Sequence, residues 1–276
     1  EGEKTFNLLL HALNTNEDVS NITNLTYLEG TNVIHTKTEE ILDLNTITLP
    51  YYFEEDIPHI PNKIAYIESS RGCPYKCSYC LSSLEKTVRF FNISEVEKAI
   101  LYLMNNGSKT FKFLDRTFNA NKEIFNLLKF IIKNHNGITV FQFEITGDIL
   151  KKDIIEYLNE HAKKGIFRFE IGIQSINYET NYLVDRIQNN EVLFENIKLI
   201  REANIIDMHL DLIAGLPKEN LESFKDTFNA VYRLGAKELQ LGFLKILPGT
   251  PLSEDVSKYG IIKASFPPYE VIQTDT

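Results

Sequence analysis

The strongest constraint on the fold is an alternation of short apolar runs with stretches of helical periodicity, which begins at Ile64. Six runs are predicted to be strands, with the sequences IAYIES, TFKFLD, ITVFQFEI, IFRFEIGI, DMHLDLIAG and ELQLGFLKI. Helical periodicity fills the intervals between them, near residues 94–105, 121–134, 151–163, 189–203 and 220–234. Strands that alternate with helices predict a parallel sheet with right-handed crossovers. Six such units predict an α/β fold shaped as a curved, partly open barrel.

Two helix starts carry capping signals. Ser94 is predicted to cap the first helix, and Glu97 stands three residues later, as in a capping box. Asn220 is predicted to cap the last helix, with Glu222 in its first turn.

The chain divides into three predicted parts. Residues 1–62 read as a helix, a small irregular or hairpin piece and an extended linker punctuated by prolines. Residues 63–250 contain the regular strand and helix pattern, and residues 251–276 are expected to be the start of a truncated C-terminal extension. The chain has no N-terminal methionine, so we expect it to be part of something longer.

Charge and hydropathy exclude several classes of protein. The net charge of −9 and a pI near 5.3, with no basic cluster, disfavour nucleic acid as a partner. No apolar run approaches the roughly 20 residues of a membrane span, and the N-terminus has no signal-peptide pattern. We therefore expect a cytoplasmic protein with no membrane contact.

All three cysteines lie in one segment, SSRGCPYKCSYCLSS, at Cys73, Cys77 and Cys80. This segment follows the first predicted strand directly, so it belongs at the carboxyl edge of the sheet, where such folds carry their chemistry. A cubane iron–sulfur cluster that only transfers electrons takes four cysteines, so three ligands leave one iron open for a substrate or cofactor. Zinc is the rival metal, but His59 and His209 lack the local spacing of a fourth zinc ligand.

The spacing C-x3-C-x2-C, with the aromatic Tyr79 before the last cysteine, resembles the motif of radical S-adenosylmethionine (SAM) enzymes. The resemblance covers roughly residues 63–250 and implies a partial (β/α)6 TIM-like barrel with an N-terminal linker segment. It also implies a [4Fe–4S] cluster whose open iron binds SAM. Reductive cleavage of SAM would then give a 5′-deoxyadenosyl radical that takes hydrogen from a substrate.

Polar residues follow the predicted strands in an order that extends this resemblance. Glu144 ends the third strand, Gln174 lies in GIQS, Arg186 follows twelve residues later and Asp211 begins DLIAGLP. These segments resemble those of oxygen-independent coproporphyrinogen oxidase and the methylthiotransferases. The resemblance implies that Gln174 and Asp211 meet the ribose hydroxyls of SAM, Arg186 pairs its carboxylate, and Glu144 accepts from the ribose or the amine. Taken singly, each could be an ordinary polar residue of a strand end, turn or helix.

Two further segments depart from the usual pattern or extend it. Where the family usually has Gly-Gly-Glu, this chain has Asp115, Arg116 and Thr117 in FLDRTFN, of which we expect Asp115 and Arg116 to contact the cofactor. FLDRTFN resembles the Asp-Asp-x-Phe variant of radical SAM proteins linked to cobalamin domains. The segment LKILPGTPL resembles the family's sixth strand, so Lys245 is also expected to line the site, together with Tyr79.

The N-terminal sequence EGEKTFNLLLHAL, followed by NLTYLEG, resembles the exit from a cobalamin-binding domain, as in the anaerobic magnesium-protoporphyrin ester cyclase group. A generic helix and linker would look the same. The Asp-x-His-x-x-Gly loop that would ligate cobalt does not occur in the sequence, so cobalamin would depend on a domain outside this chain.

The first functional hypothesis is therefore a radical SAM iron–sulfur oxidoreductase of unknown substrate, reduced by a donor such as flavodoxin or ferredoxin in an anaerobic cytoplasm. A methylthiotransferase is the alternative within enzymes, although a second cysteine trio and a basic RNA module are not found in the sequence. A metal-stabilised binding module without SAM chemistry is the alternative outside enzymes, and it predicts a fourth metal ligand.

Overall fold

The computed structural model describes residues 2–38, 43–48, 50–85 and 87–275. The chain forms two compact units, Glu1–Pro50 and Tyr51–Thr276. In the first unit, helix α1 (Gly2–Thr15) precedes an antiparallel hairpin of β1 (Thr26–Glu29) and β2 (Asn32–His35). The hairpin turns at Gly30, whose φ of +61° suits a two-residue turn.

The second unit is built on a six-stranded parallel sheet flanked by helices. The strands of this unit up to residue 243, of which six form the sheet, are β3 (Ala65–Ile67), β4 (Ser70–Arg71), β5 (Arg89–Phe90), β6 (Thr110–Phe113), β7 (Val140–Ile145), β8 (Phe167–Gln174), β9 (Asp207–Ala214) and β10 (Glu238–Phe243). Its helices are α2 (Ile93–Asn105), α3 (Ile124–Asn134), α4 (Lys152–His161), α5 (Tyr178–Leu183), α6 (Asn190–Ala203) and α7 (Leu221–Tyr232). The sheet order is β10-β9-β8-β7-β6-β3, while β4 and β5 pair separately as a short hairpin. This topology confirms the predicted α/β partial barrel.

The two predicted helix caps have different outcomes. The side chain of Asn220 accepts a hydrogen bond from the Ser223 N–H at 2.9 Å, so it caps α7 as predicted. The prediction for Ser94 is wrong, because α2 begins one residue before it. Asn92 is the cap instead, and its Oδ1 accepts from the Ser94 N–H at 3.0 Å.

The sheet has two chemically different faces, because successive side chains of a strand point to opposite sides. One face, here called the phenylalanine face, consists of side chains that are at most 1% exposed: Phe111, Phe113, Phe141, Phe143, Phe167 and Phe169. Their rings pack in a row, with centroids 4.6 Å apart for Phe113 and Phe143. The opposite face, here called the polar face, is only partly buried and carries Lys112, Gln142, Glu144, Arg168, Glu170, His209 and Asp211.

The residues after β10 pack against the rest of the second unit. They form the short helix α8 (Pro251–Glu254) and the hairpin of β11 (Ile262–Lys263) and β12 (Val271–Gln273). Leu252 and Tyr259 share an apolar cluster with Val184, Leu216, Leu244, Ile246 and Ile261. The boundaries expected at residues 62 and 250 stay predictions. In the described part of the chain, no helix has the length and apolar character needed to span a membrane.

Candidate active site

A cavity of about 200 Å³ opens where the cysteine segment meets the carboxyl ends of the central strands. Here called the first cavity, it is lined by Cys73, Tyr75, Cys77, Tyr79, Cys80, Ser82, Arg116, Thr117, Glu144, Ile145, Thr146, Glu170, Gly172, Gln174, Arg186 and Asp211. The fold thus brings together most of the residues that the sequence proposed, from segments more than a hundred positions apart.

Asp115 is one of the two expected site residues that do not line the first cavity. It is fully buried at the end of β6 and accepts hydrogen bonds from the Ser69 N–H at 2.9 Å, Ser69 Oγ at 2.5 Å and Ser70 Oγ at 2.6 Å. Burial raises the pKa of Asp115, and these hydrogen bonds oppose that rise. Asp115 therefore fixes the start of the cysteine segment, at Ser69 and Ser70, through these hydrogen bonds.

Lys245 is the other expected site residue outside the first cavity. It is exposed and forms an isolated antiparallel bridge with Glu270. Its backbone thus pairs with the residue that precedes β12, and its side chain is not among those that line the first cavity.

The cysteine segment turns tightly before its first thiol. Gly72 has a φ of +94°, and a Cβ there would overlap the Thr87 carbonyl oxygen, so the turn requires glycine. All three cysteines are free of disulfide bonds, and Cys77 is buried. Burial raises the pKa of Cys77, although Arg186 acts in the opposite direction. The Oγ1 of Thr117 lies 3.4 Å from Cys73 Sγ.

The donor set of the first cavity fits an iron–sulfur cluster with one open iron, because three thiols that form no disulfide bond line a single cavity together with polar side chains. Among the described residues, no three His, Cys, Asp or Glu side chains converge on a position for one metal ion.

Arg186 lies beside the cysteines and is held from two sides. Its guanidinium donates to the carbonyl of Gly172, and to Gln188 Oε1 from Nε at 3.1 Å and from one terminal nitrogen at 2.9 Å. Its other terminal nitrogen is 3.9 Å from Cys77 Sγ and 3.5 Å from the Tyr79 hydroxyl. Burial acts to lower the pKa of Arg186, but Tyr79 and Cys77 outweigh it and the pKa is raised. The result is a fixed positive charge next to the thiols.

Gln174 ends β8 in a strained conformation. Its φ is +66°, which is rare outside glycine, and the β8–β9 register shifts between Gly172 and Gln174. A Cβ on Gly172 would overlap Gln174 Nε2, so glycine makes room for this carboxamide. Gln174 Oε1 is buried and has no hydrogen-bond partner. Strain of this kind concentrates at functional sites, and Gln174 is one of the residues that line the first cavity.

Glu144, Glu170 and Asp211 form a carboxylate wall of the first cavity. Burial, and then the neighbouring Glu170, raise the pKa of Glu144. Burial is also the main cause that raises the pKa of Asp211 to about 6, with Glu170 adding to the effect and His209 opposing it. His209 Nε2 lies 3.1 Å from Asp211 Oδ1, close enough for an ion pair when His209 is protonated. This wall can accept hydrogen bonds or a positive charge.

The sequence reasoning missed Glu170, Tyr75 and Thr146. Glu170 could have been found from the alternation in FRFEIGI, which puts it on the same side of β8 as Gly172. Burial, and then Asp148, raise the pKa of Tyr75 to about 12. Nothing in the local sequence marked Tyr75 or Thr146, because only the packed loops place them at the first cavity.

Comparison with known proteins gives one family and several relatives. A family model described as the radical SAM superfamily matches residues 67–231, more than half of the chain. The oxygen-independent coproporphyrinogen III oxidase of Escherichia coli (strain K12) is 29% identical over 127 residues, which cover 45% of this chain and 27% of the oxidase. An uncharacterized methyltransferase of Pyrococcus horikoshii is 25% identical over 266 residues, or 92% of this chain and 56% of the relative. The chain therefore spans less than two thirds of each relative.

Solved structures show the same fold at low sequence identity. The radical SAM methyltransferase TsrM from Kitasatospora setae, with tryptophan substrate and aza-SAM bound, superimposes with a TM-score of 0.78 at 16% identity, covering 96% of this chain and 56% of TsrM. The cobalamin-dependent SAM radical enzyme OxsB, with aqua-cobalamin and SAM bound, gives a TM-score of 0.66 at 16% identity, covering 94% of this chain and 44% of OxsB.

Proposed function

Since the chain belongs to the radical SAM superfamily, whose cofactors are a [4Fe–4S] cluster and SAM, we propose that it generates a 5′-deoxyadenosyl radical that abstracts hydrogen from a substrate. Cys73, Cys77 and Cys80 would hold the cluster, which when bound and reduced supplies the electron that breaks the sulfur–C5′ bond of SAM. One observation carries the proposal: three free thiols share a cavity with an unpaired carboxamide oxygen and a fixed guanidinium.

The residues around the thiols suit a zwitterionic, sugar-bearing cofactor. Arg186 keeps its charge and is oriented by Gly172 and Gln188, so it would pair the carboxylate of SAM. Gln174, whose Oε1 has no hydrogen-bond partner, and the carboxylate of Asp211 would accept from the ribose hydroxyls.

The carboxylate wall would complement the positive charges of SAM. Glu144 would accept from the amine or the ribose. A cation that enters the first cavity favours the ionised form of Glu144 and Asp211, which offsets the cost of their burial. Tyr79, whose pKa is raised by burial, stays protonated and can donate a hydrogen bond beside Cys77.

The branch of the superfamily is part of the proposal. The FLDRTFN segment and the N-terminal sequence favour the cobalamin-linked branch, and the likeness to TsrM and OxsB extends over at least 94% of the chain. Cobalamin would be held by a domain outside these residues. An electron donor such as flavodoxin or ferredoxin and a cytoplasmic location belong to the same proposal.

The test is anaerobic reconstitution with iron and sulfide, followed by reduction and EPR spectroscopy before and after addition of SAM. We expect a cubane signal that SAM perturbs, with slow release of 5′-deoxyadenosine. Cys77→Ala should lose both. Ser78→Ala is the matched control, because it changes the same loop and the Ser78 hydroxyl has no hydrogen-bond partner.

Three results would contradict the proposal: bound zinc, no cluster after reconstitution, or a cluster signal that SAM leaves unchanged. A normal cluster in Cys77→Ala would contradict the ligand assignment instead. Methylthiolated product in the complete reaction would favour the methylthiotransferase alternative.

A further inference from the structure

A second cavity of about 360 Å³ lies beside the first and shares part of its wall. It is lined by the ends of β3, β4, β6 and β7 and by the tail of the cysteine segment, at Glu68, Ser70, Arg71, Gly72, Leu81, Ser82, Glu85, Leu114, Arg116 and Glu144. Ser82, Arg116 and Glu144 belong to both cavities. A molecule in the second cavity would therefore lie directly against a cofactor in the first.

The two arginines of the second cavity are in different electrostatic states. Arg71 donates twice to Glu68 Oε2, from Nε at 2.9 Å and from a terminal nitrogen at 2.8 Å, and this pairing neutralises it. Arg116 is 60% exposed, and Glu144 Oε2 lies 3.8 Å from it. Within the described residues its guanidinium makes no hydrogen bond, so its planar set of donors is open to a ligand.

We propose that the second cavity binds the substrate and that Arg116 binds a carboxylate of that substrate. This inference rests on the proposed function, because a radical formed in the first cavity reacts only with a hydrogen atom held in contact with it. An arginine fork recognises a carboxylate through two parallel hydrogen bonds and so fixes its orientation as well as its position.

The shared Glu144 couples the two cavities. Without ligands, Glu144 is the charge partner of Arg116. SAM would draw Glu144 towards its own positive groups and leave Arg116 without a partner. A carboxylate that binds Arg116 would in turn release Glu144 for SAM. The two ligands should therefore bind with positive coupling, and each should raise the affinity for the other by the same factor.

The experiment measures SAM binding to the cluster-loaded protein by anaerobic calorimetry, at constant chloride, with either acetate or the neutral analogue acetamide at equal concentration. Acetate should tighten SAM binding about fivefold or more relative to acetamide, the lower end of typical coupling. Arg116→Gln should abolish the difference, while Arg116→Lys should retain part of it. Arg233→Gln is the matched control at the exposed end of α7 and should behave as the unmodified protein.

Each other outcome overturns the inference in a recognisable way. Equal affinities in acetate and acetamide would show that no anion site is coupled to SAM. A difference that persists in Arg116→Gln, at unchanged cluster content, would place the anion elsewhere. Failure of SAM to bind in either solution would overturn the proposed function itself, and this inference with it.

Discussion

The two faces of the central sheet are made by the same strands and follow different rules. On β7, Phe143 is fully buried among aromatic rings, while its neighbour Glu144 faces the first cavity and has a raised pKa. The phenylalanine face gains free energy from each apolar side chain it buries, about 1.5–3 kcal/mol for one Phe. The polar face instead keeps partly desolvated charges that cost stability. The phenylalanine face therefore stabilises the fold, while the polar face keeps charged groups available at the first cavity.

The largest expected effect is on the phenylalanine face. Phe143→Ala removes a ring that packs against Phe113 at 4.6 Å and Phe118 at 4.1 Å between centroids, and it leaves a cavity. We expect the free energy of unfolding to fall by about 3–5 kcal/mol. Urea denaturation followed by circular dichroism measures this loss. A loss below about 1 kcal/mol would mean that this face is not the core of the unit.

A glycine beside the same face should have the next largest effect. A Cβ at Gly147 would lie 2.5 Å from Leu193 Cδ1 and 3.1 Å from Ile171 Cγ2, both in packed side chains. Gly147→Ala should therefore cost about 1–3 kcal/mol through overpacking. Thermal unfolding of the variant beside the unmodified protein measures this cost. An unchanged melting temperature would show that Leu193 and α6 can move aside at no cost in stability.

On the polar face we expect a substitution to raise the free energy of unfolding instead of lowering it. The pKa of Asp211 is about 6, above its ordinary value of 3.8, so the folded protein binds this proton more tightly than the unfolded chain does. The stability that this tighter proton binding contributes is fully present below pH 3.8 and is lost as the pH rises through about 6. Asp211→Asn should therefore be more stable than the unmodified protein at pH 7.5, by about 1–2 kcal/mol after allowance for the buried amide.

The control for Asp211→Asn is the same urea titration at pH 4.5, where the unmodified carboxyl is mostly protonated and the two proteins should differ least. A stability difference that stays constant between the two pH values would show that Asp211 is not the titrating group.

The smallest effect on stability is expected at Gly172, the polar-face counterpart of Gly147. A Cβ there would overlap the far end of the Gln174 side chain, which can move aside, and would make an ordinary contact with a terminal nitrogen of Arg186 at 3.9 Å. Gly172→Ala should change the free energy of unfolding by less than about 1 kcal/mol. It should nevertheless weaken SAM binding, because the displaced carboxamide leaves the first cavity. Calorimetry with the cluster-loaded variant tests this, and unchanged SAM affinity would remove Gln174 from the binding site.

The difference between the faces also explains how far the sequence predicts the structure. Five of the six predicted strands contain the observed one, and the fourth stops one residue short of the end of β8. The five predicted helices overlap α2, α3, α4, α6 and α7, because their periodic apolar residues are the ones that the phenylalanine face and its helices bury. The cysteine segment was locatable because its spacing is local. Glu144 and Gln174 were located by their places at strand ends and Asp211 by its place inside the fifth predicted strand, each read together with the family resemblance.

What could not be predicted depends on contacts between distant segments. Asp115 looked like a cofactor residue because it follows a strand, yet Ser69 and Ser70 turn it into a buried anchor. The open state of Arg116 and the pairing of Arg71 with Glu68 are equally invisible in the sequence. Periodicity records which side of a strand a residue occupies, but it does not record which partner satisfies its charge.

The backbone of Ser78, between the second and third cysteines, has a consequence for biosynthesis. Its N–H donates to the Val184 carbonyl at 2.9 Å, and its carbonyl accepts from the Leu252 N–H at 2.9 Å. The loop that carries the thiols is thus fastened by residues that leave the ribosome long after it does. Until Leu252 has been translated, the Ser78 carbonyl lacks this hydrogen bond, and the cysteine segment is held by Asp115 at its start and by Val184 at Ser78. The final position of the cysteine loop is therefore set late in synthesis, when Leu252 docks against it.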